Sequence, residues 1–245
     1  MPASEGFTLV IVMPDPGTVA DRDVAEALAG SFLARLPSDL VDTLLDVGER
    51  VEYPAGSAVY REGSSPRTFL VVSGLLRVYL TSPEGRQVTV RYARSRDVLG
   101  IAVLVGGPAD VAVRTLAESS MFRIDLRTLT NAAHRDARVA WALAEELNRR
   151  LYETLYQTAI NTFGSVRQRV AVHLLDLASA EQRRQGLLVA HVSQQGLADA
   201  VGSVREVVAR VLREFRLDRL IATSADSIQI LDAAGLHDQS WKPSV

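Results

Sequence analysis

Apolar residues recur with three different periods along the chain, and each period predicts a different kind of element. In "SFLARLPSDLVDTLLDVG", the positions Phe32, Leu33, Leu36, Leu40, Leu44 and Leu45 share a helical spacing. From Val51 the pattern shortens to strand-sized pieces: "VEYPAGSAVYREGSS", "TFLVVSGLLRVYLTSPEGRQVTVRYA", "DVLGIAVLVGG" and "VAVRTLAESSMFRIDL". Gly56, Gly63, Gly74, Gly85, Gly100 and Gly106 punctuate them, the rhythm of an antiparallel sandwich or barrel. Within it, "SPEGRQ" reads as a hairpin turn, with Pro83 pre-set in φ and Gly85 free to take positive φ. Residues 1–27 read as an extension, in which "FTLVIVM" (Phe7 to Met13) is a strand or an ordered arm.

Beyond Leu129 the pattern changes again. "NAAHRDARVAWALAEELNRRLYETLYQTAINTF" contains neither glycine nor proline, and Leu143, Leu147, Leu151, Leu155 and Ala159 recur every fourth position. This predicts one helix of roughly 45 Å. Its apolar stripe needs cover, and a second copy of the same helix supplies it in a homodimer. Packing of the stripe on the chain's own sheet is the alternative. "FGS" (Phe163 to Ser165) ends the helix, with Gly164 as breaker and Ser165 as N-cap of "VRQRVAVHLLDLASAEQ".

The last third packs short helices and strands closely. "SQQGLADAVG" predicts a short helix capped by Ser193 and closed by a sharp turn at Gly202. "SVREVVARVLREF" follows, with Ser203 and Glu206 spaced as a capping box. Val204, Val208, Val211, Leu212 and Phe215 fall on an arc of about 100°, and Arg205, Glu206, Ala209, Arg210 and Arg213 face away from it. Two helices joined by a glycine turn form a helix-turn-helix, and "LIATSADSIQIL" supplies two strands of a wing. A helix presented end-on enters the major groove of DNA. There arginine donates twice to guanine and glutamate accepts from cytosine, while Ala209 permits close approach. Ser193, Gln194 and Gln195 stand where a first helix holds phosphate. A charged arc that only faces solvent, with Glu206 and Arg210 as an i,i+4 pair, is the plainer alternative.

Composition narrows the options. The formal net charge of −2 gives the whole molecule no attraction for nucleic acid, so binding must rest on a local basic surface. The absence of cysteine removes disulfides, thiolate nucleophiles, zinc fingers and cysteine-bound iron–sulfur clusters. No signal peptide or membrane span is read, and the expected location is the cytoplasm. His134, His173, His191 and His237 are scattered among helices, strands and tail, and haem is not expected. No nucleophile–base pair, phosphate-binding glycine loop or metal-ligand spacing appears, so the chain does not read as an enzyme.

"SQQGLADAVGSVREVVARVLREF" resembles the helix-turn-helix of the CRP/FNR family of bacterial transcription regulators. "YPAGSAVYREGS", "FLVVSGLLRVYL", "EGRQVTVRYA" and "DVLG" are similar to that family's cyclic-nucleotide-binding-type β-roll, and "LNRRLYETLYQ" falls on its long dimerisation helix. The resemblance implies an α+β fold: an antiparallel β-roll or jelly roll (28–130), a long dimerisation helix (131–163), a winged helix-turn-helix (164–232) and a tail (233–245). It implies a homodimer on a palindromic operator, contact with RNA polymerase, and base reading by Arg205, Glu206 and Arg210. A ligand-binding or scaffold module, with the C-terminal unit used for protein contacts, is the competing reading.

The chain departs from the family at the effector site. The family's Gly-Glu-Leu-type turn reads "GIAVL" here, with Gly100 kept, Ile101 at the glutamate position and Ala102 after it. "PADVAV" (Pro108 to Val113) carries no arginine or serine for a phosphate, Asp110 would repel one, and Arg114 reads as an ordinary strand residue. Thr154 falls where a long-helix threonine would meet a purine. Cyclic AMP is therefore not expected to bind in the usual way, which leaves a different effector or none.

Overall fold

A computed structural model describes residues 10–11, 19–61, 63, 67–83, 85, 87–104, 111–185, 188–224 and 227–240. The chain forms two compact units, residues 1–78 with 93–151 and residues 79–92 with 152–245.

The first part of the chain runs β1 (Val10–Ile11), α1 (Val19–Ala29), a 3-10 turn (Phe32–Arg35), α2 (Ser38–Val47), β2 (Glu49–Tyr53) and β3 (Ala58–Tyr60). It continues through β4 (Thr68–Ser73), β5 (Leu75–Thr81), β6 (Gln87–Arg94), β7 (Val98–Leu99), a 3-10 turn (Ile101–Leu104), β8 (Ala112–Thr115) and β9 (Ser119–Ile124). One sheet has the order β1-β2-β9-β4-β7, the other β3-β8-β5-β6. The pairings of β2 with β9, β4 with β9 and β3 with β8 are antiparallel, as the strand rhythm predicts. β4 is buried on both faces. Leu70 and Val72 join Phe32, Leu33, Leu44 and Leu129 in a helix-covered core, while Phe69 meets Tyr53 edge-on from the other face.

Residues 1–27 are not wholly an extension. Val24 and Ala27 of α1 lie in that core at 6% and 2% exposure, so the unit begins inside the expected arm. Of "FTLVIVM", Val10–Ile11 pairs with β2 as a strand and the rest lies outside the described residues.

The expected single helix from 131 is two helices, α3 (Leu126–Arg135) and α4 (Ala137–Phe163). Asp136 separates them. Its backbone is extended, and its Oδ1 accepts the Arg138 N–H at 2.8 Å, as an N-cap does. The hydrogen bonds from the Arg138 side chain and N–H hold the Asp136 carboxyl below its ordinary range. α4 has 27 residues.

The four leucines proposed to meet a partner do not share a face. Leu143 is 8% exposed in the core, Leu147 packs against that core, and Leu151 and Leu155 are 54% and 53% exposed. A spacing of four residues advances about 40° past a full turn, so three steps rotate the row by about 120°. Leu143 and Leu147 therefore belong to the unit's own interior, a correction to the dimer assignment. Glu146, buried on the inward side, bonds Arg149 and Arg150, and Arg150 reaches Asp97 at 3.1 Å.

α4 stops where "FGS" predicts. Gly164 N–H donates to Ile160 O at 2.9 Å, and Arg169 Nη1 donates to the Gly164 carbonyl at 2.9 Å, placing a cation at the helix C-terminus. Ser165 then opens α5 (Val166–Gln185) with a reciprocal box: Gln168 N–H to Ser165 Oγ at 3.2 Å, and Ser165 N–H to Gln168 Oε1 at 2.8 Å. The remainder is β10 (Val189–Ala190), α6 (Gln194–Val201), α7 (Arg205–Leu217), β11 (Ile221–Thr223), β12 (Ile228–Ile230) and α8 (Ala233–Asp238). Residues 233–240 are not a tail. Leu236 is fully buried, and Asp232 caps α8 through the Gly235 N–H at 2.8 Å.

Candidate nucleic-acid interface

α6 buries Leu197, Ala198, Ala200 and Val201. Ser193 caps it as expected, accepting the Gly196 N–H at 3.0 Å. Gly202 ends it with φ 62° and ψ 43°, a left-handed conformation that glycine adopts without penalty. The Ser203 N–H returns to Ala198 O at 2.9 Å and closes the turn.

That turn moves the next helix by one residue. α7 begins at Arg205, its N-cap is Val204 in extended conformation, and no side chain caps it. The capping box of Ser203 with Glu206 does not form, because the Ser203 backbone is committed to the end of α6. Val208, Val211, Leu212 and Phe215 are buried as the apolar arc predicts, each burial stabilising by about 1.5–3 kcal/mol. Val204 does not join them and is 57% exposed.

The opposite face is cationic and open. Arg205, Glu206, Arg210 and Arg213 are exposed and Ala209 is half-buried. Among the described residues none of the four charged groups enters an ion pair, so the Glu206–Arg210 pair does not form. A cavity of about 320 Å³ lies beside them, lined by Ser193, Gln194, Gln195, Arg205 and the wing residues Thr223 and Ser224. The three proposed phosphate-holding residues and Arg205 are thus brought together. Gln195 is partly engaged, donating to Asp199 at 2.8 Å.

The wing completes the unit. β12 pairs antiparallel with both β10 and β11, and Arg216 Nη1 donates to Thr223 Oγ1 at 3.0 Å, tying α7 to the wing. The far end of α7 is held from α5. Arg167 donates to Glu214 and Asp218, both at 2.7 Å, and to Gln239 at 3.1 Å, with its guanidinium 4.5 Å from the Phe215 ring centroid. Sequence reading missed this clamp, since its partners are 47 to 72 residues away and no local pattern marks them.

The candidate effector residues divide. Gly100 has φ 79°, and a Cβ there would collide with the Arg67 carbonyl oxygen. Ile101 is 4% exposed in the helix-covered core, Ala102 is exposed, and Thr154 is exposed on α4. Arg114 is exposed on β8, and Pro108 to Asp110 lie outside the described residues. The free side of α4 carries apolar groups that the leucine row did not single out: Trp141, Tyr152 and Phe163 at 69%, 66% and 72% exposure. No described helix is long and apolar enough to cross a membrane.

A strand-built unit, a long helix and a winged helix-turn-helix with an unpaired arginine face define a DNA-binding regulator. Residues 50–136 match the cyclic nucleotide-binding domain family, and residues 168–239 the Crp-like helix-turn-helix domain. The transcriptional regulator LdrP of Thermus thermophilus is 34% identical over 187 residues, 74% of this chain and 92% of LdrP. A CRP-like cAMP-activated global transcriptional regulator of Mycobacterium tuberculosis is 28% identical over 86% of this chain and 96% of its own. The crystal structure of a CRP-family transcriptional regulator from Thermus thermophilus superposes with a TM-score of 0.65 at 27% identity, over 77% of this chain and 95% of that one. The chain belongs to the CRP/FNR family of transcription regulators. The two relatives named are transcription regulators.

Proposed function

We propose that the protein acts as a homodimer that reads a palindromic operator, and that its β-roll does not take cyclic AMP in the manner usual for the family. The carrying observation is the free side of α4. Trp141, Ala144, Asn148, Leu151 and Leu155 are exposed there at alternating spacings of three and four, the a/d seam of a two-stranded coil. Tyr152 and Phe163 flank it. A second copy covers such a seam by twofold symmetry, and Asn148 gives it a polar pair that fixes register. Two copies of α7 then require two inverted half-sites about one duplex turn, ~34 Å, apart.

The effector reading rests on Ile101. A buried aliphatic side chain in the core offers nothing to a ribose hydroxyl, and Ala102 beside it adds no charge. The named M. tuberculosis relative is cAMP-activated, and under this reading the two proteins part in what their β-rolls take. A less charged ligand, or none with control by abundance, suits these residues. An effector acts by favouring one arrangement of the two copies of α7. The same reading places the protein in the cytoplasm, with RNA polymerase as a further partner.

Sedimentation equilibrium combined with gel shift tests the proposal. A dimer that binds a palindromic duplex far more tightly than a single half-site is expected, with affinity falling steeply as salt rises. A monomer at micromolar concentration, or equal affinity for both duplexes, overturns the dimer. Titration calorimetry showing micromolar cyclic AMP binding overturns the effector reading.

A further inference from the structure

The N-cap residue of α7 is apolar, and its side chain is left largely in solvent. Val204 sits at the N-cap with φ −107° and ψ 152°, 57% exposed, directly before the exposed Arg205 and Glu206. Its backbone oxygen accepts the Val208 N–H at 3.2 Å, so the residue is held rigidly at the leading tip. Its backbone is extended rather than helical, and its side chain does not join Val208, Val211, Leu212 and Phe215 in the core.

Valine is a poor choice there on structural grounds. Serine, threonine, aspartate or asparagine at an N-cap binds a free N–H of the first turn, and valine cannot. The same chain caps other helical starts with side-chain oxygens: Ser31, Asp125, Ser193 and Asp232 each accept a backbone N–H. At α7 the start is uncapped although Ser203 stands one residue earlier. A local rule broken without a packing gain, on the element that enters the groove, points to a function outside the fold.

We propose that Val204 is a base-reading residue whose isopropyl group contacts the C5-methyl group of one thymine in each half-site. Thymine is the base that presents an apolar group on the floor of the major groove, and small aliphatic side chains are its partners. The arginines and Glu206 read hydrogen-bonding edges, and Val204 adds a methyl-reading position at the edge of their footprint. This rests on the DNA-binding role of α7 and extends it to a base those charged side chains do not specify.

Duplexes are selected from a random pool with the full-length protein, and each thymine of the recovered half-site is replaced in turn by deoxyuridine, which lacks only the methyl group. The expected result is one position per half-site where the replacement weakens binding about fourfold, the equivalent of one buried methyl. Placing 5-methylcytosine at the same position with its guanine partner tests the methyl apart from the T·A pair, and it binds better than cytosine. Val204→Ser abolishes both discriminations and raises the melting temperature, because a capping hydroxyl is restored. Recovered half-sites without thymine, indifference to deoxyuridine at every position, or the same discrimination in Val204→Ser each overturn the inference. Failure of the wild-type protein to retain any duplex, with Arg205→Ala behaving identically, removes the DNA-binding role itself and Val204's with it.

Discussion

α4 and α7 are both amphipathic helices with one face left open, yet what they expose is opposite in kind. α7 turns out Arg205, Glu206, Arg210 and Arg213, and none of them is paired among the described residues. α4 turns out Trp141, Leu151, Tyr152, Leu155 and Phe163. An open charged face loses little in water and gains on meeting a polyanion. An open apolar face is unfavourable in water until it is covered. Under the proposed function the two helices take different partners: nucleic acid for one, a second copy of the chain for the other.

Charging the apolar face gives the largest expected effect. Leu151→Glu with Leu155→Glu places carboxylates on the seam proposed to meet the partner helix, opposing association by about 3 kcal/mol or more. That corresponds to a dimer weakened by more than about a hundredfold. Sedimentation is expected to show monomers with unchanged circular dichroism, and operator affinity falls with the dimer. Because Leu143 is buried in the chain's own core, Leu143→Ala is expected instead to lower stability by about 2–5 kcal/mol. Equal loss of dimer from both replacements would erase the distinction between the two sides of α4.

The charged face breaks differently. Arg205→Ala is expected to reduce operator binding by about 1–3 kcal/mol and relax choice at one base pair, leaving the dimer intact. Competition among single-substitution operators measures this. An equal loss on every sequence would make Arg205 a phosphate contact.

These helices also show what sequence alone could and could not reveal. The cap at Ser193, the sharp turn at Gly202, the break at Gly164 and the buried arc of α7 apart from Val204 were all legible, because each is set by residues within one or two turns. The leucine row misled because a repeat of four is not the helical period, and only the sheet below decides which leucines it takes. The Ser203 box failed because the backbone N–H it needed had already closed the preceding helix. The boundaries at 27 and 233 were misplaced because burial of Val24, Ala27 and Leu236 depends on partners far along the chain. The Arg167 clamp had no signal at all, since its acids lie on a helix that only folding brings near.

That clamp gives the next effect in size. Arg167→Gln removes two carboxylate bonds and the stack on Phe215, destabilising the C-terminal unit by about 1–2 kcal/mol. It also leaves Glu214 and Asp218 uncompensated at the negative end of α7. Melting temperature and operator affinity are both expected to fall, with the preferred base sequence unchanged. Altered base preference with full stability would mean that Arg167 reads DNA itself.

The smallest effect lies on the inward side of α4, and its pH dependence has a definite sign. Burial raises the Glu146 carboxyl pKa, but hydrogen bonds and charges from Arg149 and Arg150 outweigh it and hold the group below its ordinary 4.5. A depressed pKa contributes stability that is fully present above the ordinary value and lost as pH falls through the folded one. Glu146→Gln keeps an acceptor for Arg150, and Asp97 still faces that arginine, so the expected loss at neutral pH is about 1 kcal/mol. The gap in melting temperature between wild type and variant should stay constant down to about pH 5.5 and close as acid takes the carboxylate. Self-association should not change, because Glu146 faces the interior while Leu151 and Leu155 face out; a variant that fell to monomers would tie the buried ion network to the exposed seam and merge the two sides that the structure separates.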